Sequence, residues 1–502
     1  MKRPSLRPLA GATAAKGAHP VASGVSSRRA LVDVAAQVGG QVVNLALGIV
    51  TTVVIVRALG ATRYGEWATV LALVELVALV GNFGLETVAV RQAAQDPEHE
   101  GSWVGAATSL RLLISLPVLA VFAVVISLVA SDHEMLIAGL ILSLCYLTAS
   151  LSTLRIVFRL HVRNHVTTAF SIANSVIWTT SVVLIAATGG GLVPFAVAFV
   201  ATAILVQGAT AYLALRTMHV RWSNGREYWP RLLKVGIAVG IAGTLTFAYA
   251  RIDQLLVYGL APHSQEVGVY AAMYKVLENA SFLPLAVMTT IFPIMASLYP
   301  AHPERLRRIM QMAIDYLAMI ALGALALTIA ASGPIIALLF GPDYASGSAI
   351  LPILFASFIP ICIGNVAGNM VIATDLQKRY IWFAGVGLLL NVPLNIVLIP
   401  QYGIEAAAWI TLLTELVVVS LTLVVVLRKI EMSLRLRRIT VAAIAAALAC
   451  LAVWGLKEAG LGAVFLILAM GAIYPALLLA VRALDVSEVR ELLRERSAPD
   501  AA

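Results

Sequence analysis

The sequence predicts an all-α integral membrane protein of about fourteen transmembrane helices, arranged as two pseudo-symmetric six-helix lobes followed by two C-terminal helices. Three observations predict it. Of 502 residues, 60% are hydrophobic and only 12% charged, with a mean hydropathy of +0.92, whereas soluble chains are about a quarter charged. The apolar residues come in blocks of roughly 18 or more, the length an α-helix needs to cross about 30 Å of hydrocarbon, and the alternating pattern of a barrel strand is absent. Lys and Arg are concentrated in every second connection between those blocks.

Residues 1–30 form a polar, basic tail. The first apolar block, 31–56, is too long for a signal-peptide core and has no A-x-A-type cleavage site behind it, so it is expected to be retained as a span. Blocks at 67–85, 107–130, 135–154, 167–187 and 192–215 complete a first lobe over 31–215. Blocks at 235–250, 267–290, 310–331, 346–373, 381–399 and 404–427 make a second over 235–427. The last two spans, 439–456 and 461–481, lie within 439–481, and 482–502 is a second tail.

Orientation follows from the cations. With the N-terminus inside, the inner segments carry 30 of the 35 Lys and Arg residues, counting Arg111 at the inner end of the third span; the outer connections carry only Arg57, Arg63, Arg251 and Lys457, and Lys275 lies within a span. Short loops rich in Lys and Arg stay cytoplasmic, so both termini are expected in the cytoplasm. The net charge of +9 is then a topology signal and implies no nucleic-acid partner. The basic runs Arg216–Lys234 and Arg428–Arg438 fit topology and attraction to anionic headgroups, with a specific partner site as the alternative. Reporter fusions at Arg226 and at Gly190 are expected to report opposite sides of the membrane. Matching signals from the two would end the fourteen-span map.

An internal repeat supports the two lobes. A shift of 203 residues lays Tyr64–Glu75 on Val267–Glu278, so that Gly65 meets Gly268, Trp67 meets Tyr270, Ala68 meets Ala271 and Glu75 meets Glu278. Both segments open a span after an outer connection. The halves therefore share an orientation and are related by an axis along the membrane normal.

Several function classes are excluded on the residues. No outer connection exceeds about 20 residues or clusters carboxylates and histidines, as acid/base or metal chemistry requires. There is no Walker A loop. Cys145, Cys362 and Cys450 stand singly in apolar blocks and read as small packers. The expectation is a transporter with no catalytic residue, no metal and no cofactor, and not an enzyme. A membrane glycan polymerase or ligase, the rival from another class, needs a sizeable outer loop.

Ionisable groups inside spans are costly and usually face a bundle interior or a water-filled cavity. Glu75, Lys275, Glu278 and Glu415 are the clearest, followed by Arg251 and Asp253 at the outer end of the seventh span. Lys275 and Glu278, three apart, share a helix face and either neutralise one another or line a polar cavity. Glu75 has no charged residue three or four positions away, which points it to the cavity or to helix–helix contact. Asn365 with Asn369 and Asn391 with Asn395 suit hydrogen bonds between helices. Pro284, Pro293, Pro352, Pro360 and Pro393 are expected to bend or break the eighth, tenth and eleventh spans.

RALGATRYGEWA and FGLETVAVRQAA, followed by RIDQLLVYGLAPHSQEVGVYAAMYK, IFPIMASLY, LLFGPDY and NVPLNIVLIPQYGIEAAAWIT, resemble the bacterial polysaccharide transporters of the MOP superfamily. The resemblance covers the first twelve spans. It implies two six-helix lobes facing each other in a V around a cationic cavity. It further implies that an undecaprenyl-pyrophosphate-linked oligosaccharide is moved across the inner membrane by alternating access, with coupling to an H+ or Na+ gradient. Carried over by position, Arg57 matches the arginine before the LG turn, Arg91 the arginine after FGL, and Asp253 the acid of the seventh-span motif. Arginine suits a pyrophosphate because its planar fork meets phosphate oxygens bidentately. Few arginines lie deep in these spans, so Lys275 and helix-end arginines are expected to make any positive cavity. The implied partners are the lipid-linked glycan, membrane lipids and a polysaccharide polymerase or co-polymerase. A peptidoglycan-precursor flippase and a multidrug or cation antiporter of the same superfamily are the nearest alternatives.

Overall fold

The computed structural model describes residues 27–82, 84–160, 164–222, 225–261 and 263–484. Nearly all of both expected tails lies outside them. The first half comprises α1 (Ser27–Asn82), α2 (Leu85–Gln95), α3 (Glu100–Val129), α4 (His133–Ser143), α5 (Cys145–Ser152), α6 (Ile156–Leu160), α7 (Asn164–Ala187) and α8 (Leu192–Thr217). The second comprises α9 (Gly225–Leu260), α10 (Ser264–Ala280), α11 (Phe282–Leu298), α12 (Pro303–Leu339), α13 (Gly347–Ala373) and α14 (Gln377–Lys429). The chain closes with α15 (Arg437–Glu458) and α16 (Ala463–Ala480).

An all-helical solution follows from the solvent: in hydrocarbon every backbone N–H and C=O must be satisfied within the chain, and a helix does this locally. Among the described residues eleven helical stretches are long and apolar enough to cross a membrane. Two of them are each a pair of passes. Residues 51 and 67 would be about 24 Å apart on a straight helix, yet Thr51 hydrogen-bonds Thr179 at 2.8 Å and Trp67 stacks on the adjacent Trp178. α1 therefore doubles back, at Gly60, whose φ of 69° and ψ of 173° fit a residue without Cβ. The 53 residues of α14 would run about 80 Å if straight, far beyond a bilayer, and this helix breaks likewise at Gly403 (φ 59°). With α9, 36 residues long, the passes number fourteen.

Segments assigned to one side of the membrane do meet there. On the side with few cations, the Tyr258 hydroxyl donates to the Val129 carbonyl at 3.1 Å and the Leu192 N–H to Glu134 at 3.0 Å. On the basic side, Trp103 packs edge-on to Tyr228 at 4.4 Å, and the Arg221 N–H donates to the Gly101 carbonyl. The bundle's outer faces are apolar; Leu128 is 82% and Leu389 74% exposed, as lipid contact requires.

The prolines act selectively. The eighth span breaks between α10 and α11 at Ser281, where the Pro284 ring would clash with the carbonyl of Ala280. Pro352 and Pro360 leave α13 continuous, and Pro393 lies within α14 without marking its break. A kink that the sequence reading did not place falls at Ala331 (φ −136°) in α12, just before the Ala330-facing ring of Pro334. The asparagines also correct the expectation. Asn365, Asn369 and Asn395 donate to carbonyls four residues back in their own helices, at 2.8–3.0 Å, and among the described residues they bond no second helix.

α15 and α16 pack on α12. Ala442, Ala445, Ala446 and Ala449 form a small-residue stripe that lets α15 approach closely, and the Tyr474 hydroxyl of α16 donates to the Met319 carbonyl of α12 at 2.8 Å.

Candidate functional site

The two repeat segments meet face to face. A Cβ on Gly65 would lie 2.8 Å from the Gly268 nitrogen, and one on Gly268 would lie 1.7 Å from the Ala61 carbonyl oxygen. The equivalent glycines of α1 and α10 thus form the crossing point of the two halves, near the cation-poor side. Further contacts between the halves close the same end. The Arg57 guanidinium donates to the Leu338 and Leu339 carbonyls at the C-terminus of α12, and the Tyr344 hydroxyl donates to the Val56 carbonyl at 3.0 Å.

Below the crossing, a cavity of about 270 Å³ separates the halves. Its first-half wall is aromatic and hydroxylated. Trp67 and Trp178 stack at 6.3 Å, Phe199 stands edge-on to both at 6.2 and 5.1 Å, and Thr51, Thr52, Ser175 and Thr179 add hydroxyls. The opposite wall carries Gln254, Ala271, Tyr274, Lys275 and Glu278. Glu75 and Glu278 both line it, each ten residues beyond its glycine, or about 15 Å further into the membrane. Lys275 Nζ pairs with Glu278 Oε2 at 2.8 Å, the two side chains being 40% and 32% exposed to the cavity.

Asp253 lies behind this wall. It is 3% exposed and accepts from the Tyr270 hydroxyl at 2.6 Å and the Thr411 hydroxyl at 3.1 Å, while the adjacent Gln254 faces the cavity. Tyr270 is the repeat partner of Trp67, so one repeat position builds the aromatic wall in the first half and anchors a buried carboxylate in the second.

A separate ionic cluster ties the cation-poor connections of the first half. Arg63 reaches Glu66 at 2.8 Å, Glu134 at 3.1 Å and also Asp132. The N–H of Met135, with Arg63 beside it, holds the Asp132 carboxyl below its usual range, since Asp132 caps α4.

The structure therefore brings Glu75, Lys275 and Glu278 into one cavity and places Asp253 in its supporting layer. It does not bring Arg57 or Arg91 there. Arg57 caps α12, because the carbonyls at a helix C-terminus lack partners and attract a cation. Arg91 lies on the exposed face of α2, whose buried side is Val88, Ala89, Gln92 and Ala93. The side chain of Arg251 is outside the described residues. Among the described residues the lining holds two carboxylates and one ammonium. The aromatic wall escaped the sequence reading. Its signal was present in Trp178, placed mid-span away from the interfacial belt, and in hydroxyls four apart at Ser175 and Thr179.

This fold is that of solved MOP-superfamily transporters. It matches a structure of the lipid II flippase MurJ in an inward closed conformation with a TM-score of 0.72 at 13% identity, over 89% of this chain and 98% of that one. It matches an inward-facing MATE multidrug resistance transporter at 0.61 and 16% identity, over 78% and 94%, and a MOP-superfamily transporter from Pyrococcus furiosus at 0.57 and 15%, over 80% and 95%. The chain belongs to the polysaccharide biosynthesis protein family, whose model matches residues 31–299. It is also similar to a probable flippase, AglR, of Haloferax volcanii, 26% identical over 171 residues that span 33% of this chain and about a third (36%) of that relative.

Proposed function

We propose that this protein is a flippase that moves an undecaprenyl-pyrophosphate-linked oligosaccharide across the inner membrane for surface polysaccharide synthesis, by alternating access and with both termini cytoplasmic. The observation that carries this reading is the cavity between two repeat-related halves, which cross closely at Gly65 and Gly268. A cavity between two repeat-related halves that approach most closely at one crossing fits the rocking of halves that alternating access needs. Its wall suits a glycan. The C–H faces of sugar rings pack on the half-buried Trp178, Phe199 and Tyr274, while Thr, Ser and Gln side chains exchange hydrogen bonds with sugar hydroxyls. The pyrophosphate then falls to helix-end cations on the basic side, outside the carboxylate-rich centre. Coupling to an H+ or Na+ gradient is assigned to the Glu75, Lys275 and Glu278 group, and a polysaccharide polymerase or co-polymerase is the expected downstream partner.

One observation favours a second reading. Carboxylates set among aromatic rings also suit an organic cation, as in a multidrug antiporter. Deletion of the gene separates the two. The flippase reading expects loss of surface polysaccharide with lipid-linked glycan accumulating in the cytoplasmic leaflet. Intact polysaccharide combined with new sensitivity to cationic dyes would overturn it in favour of the antiporter.

A further inference from the structure

A second cavity, of about 890 Å³, lies on the basic side between α12, the α14–α15 connection and the end of α16, in the part of the chain apart from the central cavity. Six arginines line it, Arg307, Arg308, Arg435, Arg437, Arg438 and Arg482, against three carboxylates. Loop attachment explains part of the set. Arg307 Nε donates to the Ile430 carbonyl at 2.8 Å and Nη2 stands 3.7 Å from Glu431. Gln311 clasps the backbone of Arg435 from both directions, donating to its carbonyl at 3.0 Å and accepting from its N–H at 3.1 Å. The connection is thus fixed rather than loose.

Three guanidiniums are left over. Among the described residues, Arg435, Arg437 and Arg482 make no side-chain hydrogen bond or ion pair, although each faces the cavity. The backbone adds a second sign. Glu431 and Arg482 have φ of 53°, two of the three positive-φ residues other than glycine in the described chain, and both line this cavity. They end α14 and α16 at the position where glycine is usual. A side chain kept there against its backbone preference is a mark of binding sites.

We propose that this cavity binds a phosphate-bearing anion, namely the headgroup of an anionic phospholipid of the inner leaflet. Guanidinium forks without partners are matched in charge and geometry by phosphate oxygens. The volume, more than one phosphate needs, accommodates a headgroup with its glycerol. Met312 and Val441 lie deeper along α12 and α15 than Arg308 and Arg437, so the lining turns apolar toward the bilayer, where acyl chains begin. A soluble diphosphate shares the phosphate chemistry and has no use for that apolar floor. Basic pockets between spans on the cytoplasmic side are a known form of lipid site. The bound headgroup fastens α15 and α16 to the second half, since α12 supplies both the cavity wall and their docking face.

The test uses the purified full chain in detergent micelles and follows its melting temperature. Phosphatidylglycerol raises it, and phosphatidylcholine does not. In the triple variant Arg435→Ala, Arg437→Ala, Arg482→Ala the melting temperature without lipid is unchanged, because these groups hold nothing in the protein. The phosphatidylglycerol needed for half the shift rises at least about tenfold. A charge-matched control, Lys378→Ala, Arg379→Ala, Arg428→Ala, removes exposed cations elsewhere on the basic side and keeps the full response. Equal loss in the control, or a full response in the first variant, overturns the site. A shift with inorganic pyrophosphate and none with phosphatidylglycerol upholds the phosphate chemistry and overturns the lipid as its source.

Discussion

Replacing Gly268 with valine is expected to abolish transport and to expose the central cavity to the outer side. The Cβ alone would stand 1.7 Å from the Ala61 carbonyl oxygen and 2.6 Å from its carbon, both backbone atoms that no rotamer change can move. The clash is relieved only by parting α1 from α10 at the crossing. Overpacking of this kind costs about 1–3 kcal/mol, which shifts a two-state equilibrium roughly 5- to 150-fold. The contacts that must give way with it, Arg57 on α12 and Tyr344 on Val56, lie at the same end. A cysteine at Ala68, which lines the cavity, reports the change. With the native cysteines replaced, it resists an impermeant maleimide added outside in the wild-type background and reacts in Gly268→Val. Gly65→Ala is expected to act in the same direction but less, its Cβ meeting the Gly268 nitrogen at 2.8 Å. Normal transport and a protected Ala68→Cys in Gly268→Val would remove the crossing as the seal.

The repeat and the crossing show why so much of the fold was legible. Span number and alternation come from hydropathy and charge, which act residue by residue and survive any detail of packing. The register of Gly65 with Gly268 is also a local pattern, and it carried Glu75 and Glu278 to matching places. The fate of individual polar groups was less legible, because it depends on what lies opposite. Arg57 was read toward phosphate on its motif position, yet the nearest orphan acceptors belong to a helix end some 280 positions later in the chain. The asparagines were assigned partners on other helices, while a carbonyl one turn back was nearer. Trp178 and Phe199 entered the site through α7 and α8, which the repeat did not link to the carboxylates.

Glu75→Gln is expected to lower transport at least about tenfold while leaving protein abundance intact, and Glu278→Ala and Glu75→Ala to do the same. A carboxylate facing lipid costs about 2.5–3.5 kcal/mol on insertion scales, and the neighbours Val74 and Leu76 offset none of it. The cavity removes that cost, and Glu75 lies open to it rather than wedged between helices. An amide of the same shape keeps hydrogen bonds and loses only charge, so the Gln variant separates the two uses of the side chain. Charge is the one the geometry favours. Lys275 and Glu278 pair at 2.8 Å, and Glu75 lines the same cavity with its carboxylate open to it, so the Gln variant tests whether its charge is needed. Removing the ammonium instead, in Lys275→Gln, takes from Glu278 its partner at 2.8 Å, and it is expected to impair transport more than Glu75→Gln does. Full transport in Glu75→Gln alongside loss in Glu75→Ala would reduce the residue to a hydrogen-bonding contact, and full transport in both alanine variants would move the functional face away from this cavity altogether.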